Sequence, residues 1–149
     1  MLESWLDYHR ATLLTKCAGL DDDQLRRRSC PPSTLTLLGL VRHMTDVECI
    51  WFGRFIGEPG AIYSSVEWPD ADFDDLDGAD AEENFAAYAR ECDRSRARTA
   101  NRELDDSFVS PRGHTISLRW IYVHLIEEYA RHNGHADLIR EAIDGAVGE

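Results

Sequence analysis

The chain has 149 residues, a length suited to one domain, with 43% apolar and 30% charged residues, the balance of a soluble globular protein and not of a disordered one. Asp and Glu outnumber Lys and Arg by 28 to 16, and the resulting formal charge of −12 repels a phosphate backbone, so nucleic acid is excluded as an expected partner. No apolar run approaches the roughly 18 residues of a membrane span, and the opening MLESWLDYHR lacks the basic-then-apolar order of a signal peptide, so a cytoplasmic protein with no membrane partner is expected.

Cys17, Cys30, Cys49 and Cys92 show neither a CxxC pair nor metal-finger spacing and read as buried thiols in a reducing compartment. In chain order, Leu2, Trp5, Leu6, Leu13, Leu14 and Cys17 recur at helical spacing and predict a first helix over residues 2–18, with Asp7, Arg10 and Lys16 facing water. Gly19 closes it. Residues 21–33, with Pro31 and Pro32, predict a connector carrying at most a short helical turn over 22–27.

Thr34 or Thr36 can cap a second helix, LLGLVRHMTDVECIWFGRFIG, whose wide apolar surface predicts burial. Residues 58–78, with Pro59, Gly60, Pro69 and many aspartates, predict a long exposed connection. Asp80 then caps a third, amphipathic helix with Phe85, Tyr88, Ala89 and Cys92 on one side and Arg90, Arg94 and Arg98 on the other. Ser117 begins a fourth, with Trp120, Ile121, Val123, Leu125 and Leu138 as its core face and Gly145 and Gly148 at its end. No segment alternates clearly enough to predict a strand. The expected fold is all-α: one four-helix bundle domain over residues 1–149.

Histidine and glutamate suit a bundle core only when their polar atoms find partners, yet the second helix sets His43 among Leu40, Val41, Met44 and Val47. In the fourth, Glu128 and His132 stand four residues apart, about 40° around the helix axis and about 6 Å along it, close enough to hold one ion together. If the second and fourth helices are neighbours, His43 completes a two-histidine, one-carboxylate set with open positions, as catalytic zinc and other divalent ions use. The alternatives are a core histidine bonded within the protein and an ordinary Glu–His surface pair. His124, one turn earlier, could be a fourth ligand, an outer hydrogen-bond partner or a lining residue; His135, about 60° around the axis from His132, could replace it and ranks below it. His9 and His114 read as surface residues.

Other motifs fail. The nine carboxylates of residues 67–83 lack the Gly and Glu that a calcium loop needs after Asp70, Asp72 and Asp74, and read as a solvated loop. No phosphate-binding or nucleophile-elbow motif is present, and a single Glu-x-x-x-His does not make a di-iron site.

The segment L-x-x-L-V-R-H-M-x-D-V-E-x-x-W-F, with W-I-Y-V-H-L-I-E-E-Y-A-R-H-N-G-H-A-D about 85 residues later by ligand position, resembles the DinB-like superfamily of metal-binding four-helix proteins over nearly the whole chain. The resemblance is to its actinobacterial branch, related to the bundle domain of mycothiol-dependent maleylpyruvate isomerase. It implies an up-down-down-up bundle, dimers as a common assembly, and His43, Glu128 and His132 as ligands of one divalent ion, zinc first, with nickel, manganese or iron as other choices. It also implies that a low-molecular-weight thiol such as mycothiol attacks a small electrophile from the open metal position. The isomerase carries a second domain without a counterpart here, so the expected activity is a metal-dependent thiol transferase or a related hydrolase or isomerase. Catalytic residues beyond the ligands are not assigned. The rival expectation is a non-enzymatic, metal-stabilised stress or interaction protein with a closed site, and a third is a metal-free bundle that binds a ligand in its core.

Overall fold

Helix caps fall where short polar side chains precede apolar periodicity. In a computed structural model describing residues 1–58 and 60–148, the elements are α1 (Leu2–Cys17), α2 (Asp22–Leu25), α3 (Leu37–Phe55), α4 (Ala71–Asp74), α5 (Ala81–Thr99), β1 (Ser107–Val109), β2 (Thr115–Ser117) and α6 (Leu118–Asp144). Thr36, not Thr34, caps α3 by accepting from the Gly39 amide at 3.0 Å. Asp80 accepts from Glu83 and Ser117 from Trp120 at the starts of α5 and α6. Gly145 ends α6 in the left-handed region, at φ 79°, where a side chain would be strained.

Inter-helix contacts give the direction of each long helix. Along α1 and α6, Met1 and Leu2 share a cleft with Leu118 and Tyr122, while Lys16 pairs with Asp137 at 2.7 Å, so these two run parallel. Trp51 meets Trp120 and His43 meets His132, so α3 runs against α6. Tyr88 bonds Tyr129 and Tyr122 bonds Thr99, so α5 does likewise. The order is therefore up-down-down-up, and the connection of residues 56–80 carries the chain back so that α5 can run parallel to α3. Among the described residues no helix is long and apolar enough to cross a membrane.

The core is built from Leu6 and Leu13 of α1, Leu37, Leu38, Leu40, Val41 and Met44 of α3, Tyr88 of α5, and Ile121, Leu125 and Tyr129 of α6. Each such side chain contributes roughly 2 kcal/mol by leaving water. The buried set of α6 includes Leu118, Ile121, Tyr122, Leu125, Tyr129, His132, Ala136 and Ile139, a steady helical stripe. Trp120, Val123 and Leu138, expected in the core, lie off that stripe and are exposed.

The same geometry overturns the reading of α1. Leu6, Arg10, Leu13 and Cys17 occupy one face, so Arg10 is buried by its angle around the helix despite its charge, and Lys16 is buried beside Asp137. Trp5 and Leu14, off that face, are exposed. In α5, Ala89 is exposed while Glu91 is buried and paired with Arg98, which does not face water freely.

Two further expectations change. Residues 107–109 and 115–117 form an antiparallel hairpin, Phe108 opposite Ile116, turned through Gly113 at φ 81°. Three-residue strands are too short for alternation to show in sequence. The 58–78 connection, expected as a solvated loop, is mostly exposed but pinned to α3. Asp46 accepts from the amides of Ile62, Tyr63 and Ser64 at 2.6, 3.0 and 2.7 Å, and the Arg42 guanidinium donates to the carbonyls of Ala71 and Asp72 at 3.1 Å each. That pinning buries Ala71 and Asp72 against α3.

Candidate metal centre

Because α3 runs against α6, His43 meets the Glu128–His132 pair across the helix interface. One ligand atom from each of His43, Glu128 and His132 lies within 4.8 Å of the others, and His132 Nε2 stands 3.6 Å from Glu128 Oε2. Tetrahedral ligands about 2.1 Å from zinc are about 3.4 Å apart, so the histidine–glutamate pair already has the required spacing and a small side-chain adjustment brings in the third donor.

Each ring is held from behind. His43 Nδ1 faces Asp72 Oδ2 at 2.7 Å, a bond that makes Nδ1 the donor and leaves Nε2 with its lone pair free. Phe73 stacks on one face of the His43 ring at 4.5 Å, and the side chain stays 22% exposed. Asp72 was missed in sequence because it lies in a run of nine carboxylates that reads as solvated, and it becomes buried only when α4 docks on α3. The apolar Ala71 and Phe73 on either side were the one local hint of a buried turn.

Burial, reinforced by His43, His135 and Arg131, holds the His132 pKa down at about 4. Its ring is therefore neutral at pH 7, the form in which imidazole ligates metals. His135, considered as a replacement ligand, instead places Nδ1 3.3 Å from His132 Nδ1, behind the ring and away from Glu128. His124 lies between the Trp120 ring, stacked at 4.8 Å, and Trp51 at 4.7 Å, with Nε2 3.5 Å from Glu128 Oε1. The two oxygens of Glu128 thus face different histidines. His124, Glu127 and Glu128 also cluster, but Glu127 is engaged by Arg131.

Tyr129 points away into the core, where it donates to Glu48, and Arg131 reaches Glu128 Oε2 at 3.7 Å. His9, read as a surface residue, is half-buried with its ring tilted against Trp5 and edge-on to Tyr8, and His114 is exposed in the hairpin turn; neither joins the triad. All four cysteines are free thiols, Cys17 and Cys92 buried and the other two half-buried.

The His132 shift has a direct consequence for the metal-free protein. The folded ring accepts a proton only near pH 4 and the unfolded ring near 6.5, so its contribution to stability is complete above 6.5 and declines as pH falls towards 4. Urea unfolding of chelated protein should show about 2 kcal/mol lost to this group between pH 7 and pH 5. His132→Gln should flatten that part of the pH slope; an unchanged slope would assign the acid sensitivity elsewhere.

A model of the mycothiol S-transferase family matches residues 1–145. No curated protein and no solved structure matches the chain.

Proposed function

The chain belongs to the mycothiol S-transferase family, within the DinB-like superfamily, and on that premise we propose that it transfers the thiol of mycothiol to a small electrophile with a divalent ion held by His43, Glu128 and His132. The observation that carries this reading is the meeting of three donors from two antiparallel helices, with one histidine neutral at pH 7 and the other tied through its outer nitrogen to a buried carboxylate. Two histidines and a carboxylate leave coordination positions open, and the donor set suits zinc first, with nickel, manganese or iron as other occupants. A bound ion would supply Lewis-acid stabilisation of a thiolate at neutral pH.

The chain's own residues do the rest. Asp72 fixes the His43 tautomer, Phe73 packs on one face of that ring, and His124 lies 3.5 Å from the second Glu128 oxygen. In the transfer the thiol proton passes to solvent, a carbon–sulfur bond forms, and the leaving group departs with its electron pair. A cytoplasmic setting, where such a thiol stays reduced, belongs to the same reading and fits four free cysteines.

Metal content of untagged protein by mass spectrometry, with mycothiol-dependent conjugation of 1-chloro-2,4-dinitrobenzene before and after chelation, tests this. About one ion per chain and turnover lost on chelation are expected. Chelation that lowers the melting temperature in a protein without thiol-dependent turnover would favour a purely structural ion. Asp72→Asn is expected to weaken metal affinity roughly 10- to 100-fold in a chelator competition while the ion can still be loaded. Unchanged affinity would mean that the carboxylate serves the connection's folding and not the centre.

A further inference from the structure

The hairpin of β1 and β2 closes a cavity of about 560 Å³ over the end of α3 and the start of α6. Trp51, Phe108, Ile116 and Trp120 form its apolar walls, and the two indoles are 5.0 Å apart. Arg54, Arg112 and His114 also line it, and no carboxylate does, in a chain where acidic residues outnumber Lys and Arg 28 to 16. Neither arginine has a carboxylate within ion-pair distance among the described residues; the Arg54 guanidinium lies over the Trp51 ring at 5.5 Å. A second concavity, over residues 67–75, is lined by Glu67, Asp70, Asp74 and Asp75 and would repel an anion.

The hairpin cavity also adjoins the triad. The same Trp51 and Trp120 that wall it hold His124, and His124 Nε2 is 3.5 Å from Glu128, so one imidazole ring separates the cavity wall from the proposed metal ligand. An overall negative molecule that collects unpaired cations around aromatic walls has a local field opposite to its net charge, suited to a ligand that is both planar and anionic.

Resting on the transferase reading, we infer that the hairpin cavity is the acceptor subsite and that the electrophile it takes is a planar, carboxylate-bearing molecule. Its ring lies against the Trp51 and Trp120 walls and its carboxylate meets Arg54 and Arg112. Sequence could not show this, because Arg54, Arg112 and Trp120 come together only through the hairpin.

The test is binding without thiol, followed by quenching of tryptophan fluorescence, with 4-chloro-3-nitrobenzoate and its uncharged analogue 4-chloro-3-nitrobenzamide as probes. The protein as purified and the chelated protein are both titrated. The acid should bind at least about tenfold more tightly than the amide, and Arg54→Gln and Arg112→Gln should each remove most of that preference while leaving the amide unaffected. Both arginines lie at the surface, and thermal melts confirm that the variants fold. Equal affinities for acid and amide, or a preference indifferent to both substitutions, would overturn the inference. So would a preference that vanishes on chelation, which would place the carboxylate on the ion. Because the titration contains no thiol, a protein that shows this pattern but no thiol transfer would refute the transferase reading alone. One that transfers thiol with equal affinity for both probes would refute the subsite alone.

Discussion

Replacement of His132 with alanine should strip the divalent ion from the protein and reduce mycothiol-dependent turnover to the level of the chelated wild type. Site energies on the order of 10 kcal/mol divided among three ligands amount to about 3 kcal/mol each, so losing one should weaken binding at least about a hundredfold. Glu128→Ala and His43→Ala should behave alike, since each removes one of three converging donors. His135→Ala should not, because its ring meets the far nitrogen of His132 and not the open side of the triad. Metal content by mass spectrometry and kcat/KM with excess zinc measure the series. Full turnover in a metal-free His132→Ala protein would defeat the proposed function. Retention of the ion by His132→Ala with loss by His135→Ala would exchange their roles.

The second large effect is on stability. Glu48 is fully buried on α3 and accepts from Arg10 Nε and Nη2 at 2.7 Å each and from the Tyr129 hydroxyl at 2.9 Å; Tyr88 then donates to Tyr129 at 2.9 Å. Burial opposes the Arg10 charge, but the paired carboxylate outweighs it and raises the guanidinium pKa above its ordinary value. Glu48→Ala would leave the buried Arg10 charge with only the half-exposed Asp7, 2.9 Å from Nη1, and the Tyr129 hydroxyl without its acceptor, at a cost of about 3 kcal/mol, a large fraction of the stability of a typical domain. Arg10→Ala should cost a comparable amount. The double replacement Arg10→Met with Glu48→Leu should recover the part of the loss due to charge, because neither desolvated charge remains and the volume is filled, while the buried Tyr129 hydroxyl still lacks its acceptor. Denaturant unfolding of the two single variants and the double variant separates these cases. A Glu48→Ala loss below about 1 kcal/mol would mean that Asp7, with any water that enters, suffices for Arg10.

This network links α1, α3, α5 and α6 one residue away from Glu128, and it was not visible in the sequence. Arg10 looks like a surface residue by type, and only its angle relative to Leu6 and Leu13 shows that it points inward. Its partner lies 38 residues away, and the carboxylate it meets lies 81 residues before Tyr129. Trp120 illustrates the converse: a large apolar side chain assigned to the core is 44% exposed because it lies off the α6 stripe, and it walls the hairpin cavity instead. Residue type therefore misjudged both positions, where angle around the helix would have judged them correctly.

Properties governed by neighbours within about one helical turn were legible from residue order. They include the four long helices, the caps at Asp80 and Ser117 and one at Thr34 or Thr36, the stop at Gly145, and the placement of Glu128 and His132 on adjacent positions of one face. Caps and helical spacing depend on short polar side chains and a repeat of 3.6 residues, and both are local. The meeting of His43 with that pair was a reading conditional on two helices being neighbours, strengthened by family resemblance, and the fold brings it about by running α3 against α6. Asp72 behind His43, the Arg10–Glu48 pair and the basic aromatic cavity under the hairpin were decided by tertiary structure alone. A polar side chain is buried or solvated according to what the rest of the chain packs against it, and for Asp72 that neighbour is 29 residues distant.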